Sequence, residues 1–301
     1  MTQLLPGTFG TLLRYWQGGR DLELIFESVH LRISAIGERV ARLRIAPEGK
    51  FAPRRSWDVV PADDDFPIPA VALREDGQSI RFEMGAFQVI YQRGGGLCFE
   101  FTEQRFFRLE ELPAAQPGGP LALRLPVEPG EHFYGFGERS GLLEKSGSRM
   151  INWATDPNHM HGPDVEAMYI AIPFALALRP GLAWGLFFHN TFHSEFDLTQ
   201  PGELSVKADG GELDFYILCG LNPPEVVQTF SELAGRAPLP PLWSLGYHQS
   251  RWSYNSAREV RDLVEEFRRR KIPLDAVHLD IDYMDGYRDF TWNRETFPDP
   301  A

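Results

Sequence analysis

The feature that most limits what this chain can become is a change of hydrophobic period near residue 240. From Leu22 to Gly220 apolar residues come in short runs broken by turn residues. LELIFES, HLRISAI, RVARLRI, SIRFEM, AFQVIYQ and LCFEF span five to eight residues each, with stretches such as PADDDFPIP and REDGQ between them. The pattern continues through LALRLPV, HFYGFGE, MYIAIPFALAL, LAWGLFFHN, ELSVKA and ELDFYILCG. Such spacing is an all-β signature and favours a sandwich. Gly94–Gly96 between two runs predicts a hairpin. PPEVVQTFSEL, residues 223–233, predicts a helix with proline at its start and Val226, Phe230 and Leu233 on one face.

Three prolines between Ala237 and Leu242 make a stiff connection, and the period changes after them. The domains are therefore placed at residues 1–239, a β-sandwich, and 240–301. In the second part, Leu242–His248 reads as a strand, and Asn255, Ser256 and Glu259 as a capping signal. Val260, Leu263, Val264 and Phe267 follow at helical spacing, and Ala276–Ile281 reads as a strand buried on both faces. Strand, helix and strand within ~40 residues make a βαβ unit. A full (β/α)8 barrel takes roughly 250 residues, so the expectation is the front part of a longer protein.

The second strand runs into Asp280 and Asp282, with Tyr283, Met284 and Asp285 behind them. Carboxylates at the carboxyl end of a parallel strand sit where α/β barrels build active sites. In a continued strand, positions 280 and 282 would share a face roughly 6.5 to 7 Å apart. Retaining glycosidases hold two carboxyls about 5 to 5.5 Å apart. Spacing alone leaves substrate contact, metal ligation and a loop-end role open. Asp285 and Asp289 read as solvated or loop-capping.

In GYHQSRWSY, residues 246–254, Trp252, Tyr254 and Tyr247 offer flat faces for sugar C–H groups or filling for a core, and Arg251 offers a fork for a carboxylate. His248 reads as an interior histidine, and Glu138 beside Arg139 as structural. The polar segment 152–169 is a long loop of the kind that often serves function, and Asp156 could reach a pocket. His159, His161 and Asp164 in it are too weak a pattern to call for a metal.

A net charge of −12 argues against nucleic acid or an anionic membrane as partner. A neutral small-molecule sugar suits it, and homo-oligomer formation stays open. Cys98 and Cys219 are too few for a disulfide framework and read as buried thiols. No leader pattern and no apolar run of eighteen residues are visible, so the expected location is cytoplasmic.

Several of these segments resemble family-31 glycoside hydrolases, the α-glucosidase group. DIDYM with DFTW (280–284, 289–292), FYGFGER (133–139), the loop around Asp156, YIAIPF (169–174) and LGYHQSRWSY (245–254) occur in that family's order. The resemblance spans about residues 20–301. It implies a mainly β fold, with a galactose-mutarotase-like β-sandwich followed by the opening βαβ unit of a (β/α)8 TIM barrel. It implies a retaining α-glucosidase with no cofactor and no metal. By resemblance, Asp280 binds hydroxyls of the sugar at subsite −1, Ile281 lines that pocket, and Trp252 and Asp156 lie near subsite +1. The Asp280–Ile281 pair leans towards glucose over xylose. Pro157, directly after Asp156, departs from a loop whose length varies in the family. The nucleophile and acid/base are expected beyond Ala301. Rival expectations are a non-catalytic sugar-binding sandwich, an α-xylosidase, or an α-glucosyltransferase.

Overall fold

The structure is a computed structural model that describes residues 9–46, 49–52, 57–111, 114–115, 119–157 and 161–300. It divides into two compact units between Arg236 and Ala237.

The first unit is built from three antiparallel sheets. The largest runs in the order Leu12–Gly18, Asp21–Phe26, His30–Gly37, Val40–Ala46, Leu213–Gly220, Leu182–Phe188, Ala171–Arg179 and His132–Gly137. A second joins Ala114–Ala115, Leu121–Pro126, Glu203–Ala208, Ser194–Asp197 and Arg149–Asn152. The third is a meander from Ala72–Glu75 to Gln104–Leu109. Its Gly94–Gly96 connection is the expected hairpin, closed by the Gln92 N–H on the Gly96 carbonyl at 2.9 Å. All three sheets feed one apolar cluster containing Leu24, Phe82, Phe99, Leu123, Trp184 and Val206. Alternation delivers these side chains: Ser79–Met84 and Leu121–Pro126 bury every second residue.

The central strands break that alternation. Val40–Ala46 and Leu213–Gly220 are buried at every position. One face enters the sandwich core. The other lies partly under helix α1 (Pro223–Ala234), where Phe230 stacks on Phe174 at 4.1 Å and Val226 and Leu233 are buried. Asn222 caps α1 by accepting the Glu225 N–H at 3.1 Å, with proline next in the chain.

That covered face also carries charge. Arg42 donates to Asp214 at 2.8 Å and to both carboxylate oxygens of Asp63, at 3.0 and 2.9 Å. Burial works against a charged Asp214, but the Arg42 and His189 bonds outweigh it and hold its pKa below the ordinary range.

The second unit contains one parallel βαβ motif. His248–Ser250 pairs with Ala276–His278, and helix α2 (Ala257–Arg269) connects them. Ser256 accepts the Glu259 N–H at 3.2 Å, while the Glu259 carboxylate accepts the Asn255 N–H at 2.8 Å.

Two expected strands are shorter than the sequence suggested. Leu242–Leu245 forms a 3-10 turn that starts beyond Pro241, so the first strand begins only at His248. Just before it, a Cβ on Gly246 would stand 2.1 Å from Asp275 Oδ2, so only glycine admits that carboxylate to the Tyr247 N–H. The second strand ends at His278, not Ile281. YIAIPF likewise enters its strand at Ala171, and Arg149–Asn152 and Ser194–Asp197 are strands too short to stand out in the sequence. Cys219 is buried and Cys98 half-buried, both as free thiols. Among the described residues no helix is long and apolar enough to cross a membrane.

Candidate functional site

Parallel pairing sets His248 against Ala276 and Ser250 against His278. The chain therefore leaves both strands at the same end, and segments 251–254 and 279–282 follow from that end. Trp252, Asp280 and Ile281 belong to these segments. Trp252 is 83% exposed, Ile281 is 40% exposed, and the Asp280 carboxylate is exposed with no hydrogen-bond partner among the described residues.

Because the strand stops at His278, Asp280 and Asp282 are not two positions of one pleated face. Asp282 lies half-buried in the turn that follows and accepts the Tyr287 hydroxyl at 3.1 Å. Asp280 is left free while its neighbour is committed. Asp285 is exposed and paired with Arg288.

The two halves of the DIDYM and DFTW pattern are one local fold. Tyr283 packs on Trp292 with ring centroids 5.0 Å apart, Trp292 packs on Phe297 at 6.0 Å, and the Asn293 N–H meets the Tyr283 carbonyl at 2.8 Å. The aromatic residues thus fix the loop that follows Asp280.

The other aromatics of GYHQSRWSY divide by burial. Tyr254 is 2% exposed, lies beneath the Arg251 guanidinium at 5.7 Å, and accepts from Gln249 at 3.2 Å. Tyr247 stacks on Phe267 of α2 at 5.9 Å. Tyr254 is a packing residue, Tyr247 keeps 49% of its surface exposed beside Phe267, and Trp252 is the most open of the three rings. Arg251 reaches Glu259 at 3.9 Å rather than a site carboxylate. His248 stacks on Trp243 at 6.0 Å and pairs with His278 at 2.8 Å between Nδ1 and Nε2.

Asp156 lies in the first unit, on the loop between the strands Arg149–Asn152 and Ala171–Arg179. Backbone bonds from Ile151 to Glu166 (2.8 Å) and Thr155 to Met168 (3.0 Å) close the base of that loop. The Tyr169 hydroxyl donates to Asp156 at 2.7 Å, and this bond, with burial second, raises the Tyr169 pKa. Tyr169 has a role the sequence did not reveal, since it lies thirteen positions along the chain from its partner. His159 lies outside the described residues. His161 packs edge-on against Tyr169 at 6.3 Å, and no three metal-ligating side chains come together among the described residues.

The described geometry can be set beside known proteins. The sequence matches the family profile described as the glycosyl hydrolase 31 N-terminal galactose mutarotase-like domain over residues 30–197. It matches the glycosyl hydrolases family 31 TIM-barrel domain over residues 237–301. It is 44% identical over 173 residues to alpha-glucosidase 2 of Bacillus thermoamyloliquefaciens, covering 57% of this chain and 22% of the relative. It is 33% identical over 250 residues to lysosomal alpha-glucosidase of Mus musculus, covering 79% of this chain and 25% of the relative. The fold is similar to a Flavobacterium johnsoniae GH31 dextranase complexed with glucose, with a TM-score of 0.87, 24% identity, and coverage of 96% of this chain and 36% of that one. It is also similar to a GH31 alpha-xylosidase from a soil metagenome, with a TM-score of 0.82, 20% identity, and coverage of 95% and 44%. The chain thus spans about a quarter of the length of these curated relatives. With a sandwich profile covering more than half of its residues and a barrel profile after it, the chain belongs to glycosyl hydrolase family 31.

Proposed function

We propose that these residues supply the sandwich and the opening βαβ unit of a retaining α-glucosidase that removes terminal α-linked glucose. The observation that supports this most is Asp280, an exposed carboxyl just past the end of a parallel strand with no hydrogen-bond partner among the described residues. An ionised carboxylate accepts strong, short hydrogen bonds from hydroxyls. At subsite −1 it would fix the sugar's hydroxyls, and Ile281 would line the same pocket. Trp252 would offer its ring to the next sugar at +1, with Asp156, oriented by Tyr169, near that subsite as well.

The chemistry expected is double displacement. A nucleophilic carboxylate forms a glycosyl-enzyme intermediate that water then hydrolyses, through an oxocarbenium-like transition state. Asp280 would neither attack nor transfer a proton. Its task is to hold the ring, so its bonds count in proportion to how much they strengthen at the transition state.

A protein of the relatives' full length is the right object for the test. It should hydrolyse an aryl α-glucoside in preference to the α-xyloside, and Asp280→Ala should lower kcat/KM about a hundredfold, ~3 kcal/mol. Unchanged kcat/KM in that variant would remove Asp280 from the site, and a preference for the xyloside would overturn the glucose reading. A cytoplasmic location belongs to the same proposal. It is supported by the two thiols, which stay unpaired, and cell fractionation tests it.

A further inference from the structure

The segment FYGFGER (133–139) contributes no residue to the site proposed above, yet its backbone is unusual. Gly135, Phe136 and Gly137 all have positive φ, at 97, 67 and 80°. Phe136 buries its ring against Phe196, with centroids 5.3 Å apart, which holds this left-handed residue in place. In the pairing with Ala171–Arg179, Gly135 stands opposite Ala175 but Gly137 opposite Ala171, so the register slips between them. Pro173, with no N–H for the ladder, falls inside that slip. A Cβ on Gly137 would stand 2.4 Å from the Ile170 carbonyl oxygen, so glycine is required there.

The slip brings Glu138 against Ile170. The Glu138 N–H donates to the Ile170 carbonyl at 2.9 Å, and the Ile170 N–H donates back to Glu138 Oε2 at 3.3 Å. The carboxylate thus accepts where a strand carbonyl would, at a point where the ladder has ended. Arg139 reaches both ends of the loop that follows, donating from Nη1 to the Glu166 carbonyl at 3.3 Å and from Nη2 to Asn152 Oδ1 at 2.9 Å. Between those ends Asp156 is exposed, and among the described residues the hydroxyl of Tyr169, next to Ile170, is its one hydrogen-bond donor. A phenol has a single proton to give, so the other acceptor positions of the carboxylate stay open. The Asp156 bond first, then burial and the charges of Asp156 and Glu138, raise the Tyr169 pKa and keep that proton in place.

We propose that FYGFGER is a positioning motif: Glu138 fixes the backbone at Ile170, that backbone fixes Tyr169, and Tyr169 aims Asp156 at the departing sugar. An exposed carboxylate on a loop otherwise loses rotamer freedom when a sugar binds, and fixing it beforehand removes that cost. Glu138 and Tyr169 therefore set how well the site distinguishes a sugar leaving group from one that is not a sugar. The inference rests on the reading that puts Asp156 near subsite +1, and it adds the residues that hold it there.

The test uses a protein of the relatives' full length. It compares kcat/KM for an α-linked glucose disaccharide, which places a sugar at +1, with kcat/KM for an aryl α-glucoside, which does not. Tyr169→Phe should lower the disaccharide-to-aryl ratio about tenfold. Asp156→Ala should lower it at least as far. Adding Tyr169→Phe to Asp156→Ala should change it by less than about twofold more, because Tyr169 acts through Asp156. Glu138→Ala should lower the ratio about fivefold, and Glu138→Gln, which keeps an oxygen for the Ile170 N–H, should recover most of that loss. Should Glu138→Ala fail to fold, Tyr169→Phe carries the test, since it keeps a half-exposed ring in place. A ratio lowered by Asp156→Ala but unchanged in Tyr169→Phe overturns the positioning role and leaves the +1 reading standing. A ratio unchanged in Asp156→Ala removes Asp156 from +1, and the inference goes with it. Losses shared equally by both substrates, additive losses in the double variant, or Glu138→Gln as poor as Glu138→Ala also overturn it.

Discussion

In the sandwich, three sheets share one apolar cluster, and even the polar residues of its central strands are out of water. Between residues 237 and 301 only Ser253, Tyr254 and Phe297 are buried among the described residues, and every residue of α2 keeps contact with solvent. The first region is held by burial that no single residue controls. The second is held by local devices: the Ser256 cap, the Gly246–Asp275 approach and the Tyr283–Trp292 contact. Among the described residues, the shared apolar cluster and the candidate residues 252, 280 and 281 therefore belong to different units.

That contrast can be broken or sharpened by substitution. The largest effect is expected from Arg42→Met, which removes the guanidinium that Asp63 and Asp214 share in this buried network. Chemical denaturation should show a loss of about 3–5 kcal/mol, and a loss below ~1 kcal/mol would mean the network is dispensable.

Glu131→Gln comes next. Burial raises the Glu131 pKa, although the Trp184 N–H bonded to it at 2.6 Å works the other way. A carboxyl raised in the folded state contributes stability that is complete below the unfolded pKa and is lost as pH rises through the folded one. The amide variant keeps an acceptor for Trp184 and does not titrate. Its Tm should converge with wild type in acid and exceed it increasingly above the ordinary carboxylate range. Parallel Tm curves across pH would show that Glu131 is not the titrating group.

In the second unit, Ser256→Ala removes the cap of α2 and should cost about 1 kcal/mol. The loss should appear as faster amide exchange confined to α2, because that helix shares no large core with its surroundings; exchange that also quickens in the sandwich strands would show the two regions to be energetically coupled. Smallest is Arg288→Ala, which breaks an exposed pair with Asp285 and should change stability by less than about 0.5 kcal/mol. A larger change would mean that this pair orders the loop behind Asp280.

The sequence-based expectations succeeded where local periodicity and burial agree. The runs at 22–28, 79–84, 86–92 and 97–101 contain the strands Asp21–Phe26, Ser79–Met84, Phe87–Gln92 and Leu97–Phe101, and Val226, Phe230 and Leu233 do face the sheet from α1. They failed where a partner distant in the chain decides. Arg42 and Arg44 alternate with the apolar Ala41, Leu43 and Ile45. Yet both are 2% exposed, because Asp63, Glu212 and Asp214 close over them. The run Ala276–Ile281 reads as one strand, but only three residues find a neighbouring backbone. Tyr254 and Trp252, two residues apart and chemically alike, are respectively buried and 83% exposed.

What the sequence determined by itself is the class of each region, the helix caps, and the motif that places the chain in its family. All of these depend on residues within one or two turns of chain, where side-chain pattern and backbone preference act directly. Tertiary structure alone decided which charges are buried and that Tyr169 holds Asp156. Such facts depend on atoms brought within a few ångströms by segments far apart in the chain, and the strength of a charge interaction is set by the water that folding excludes.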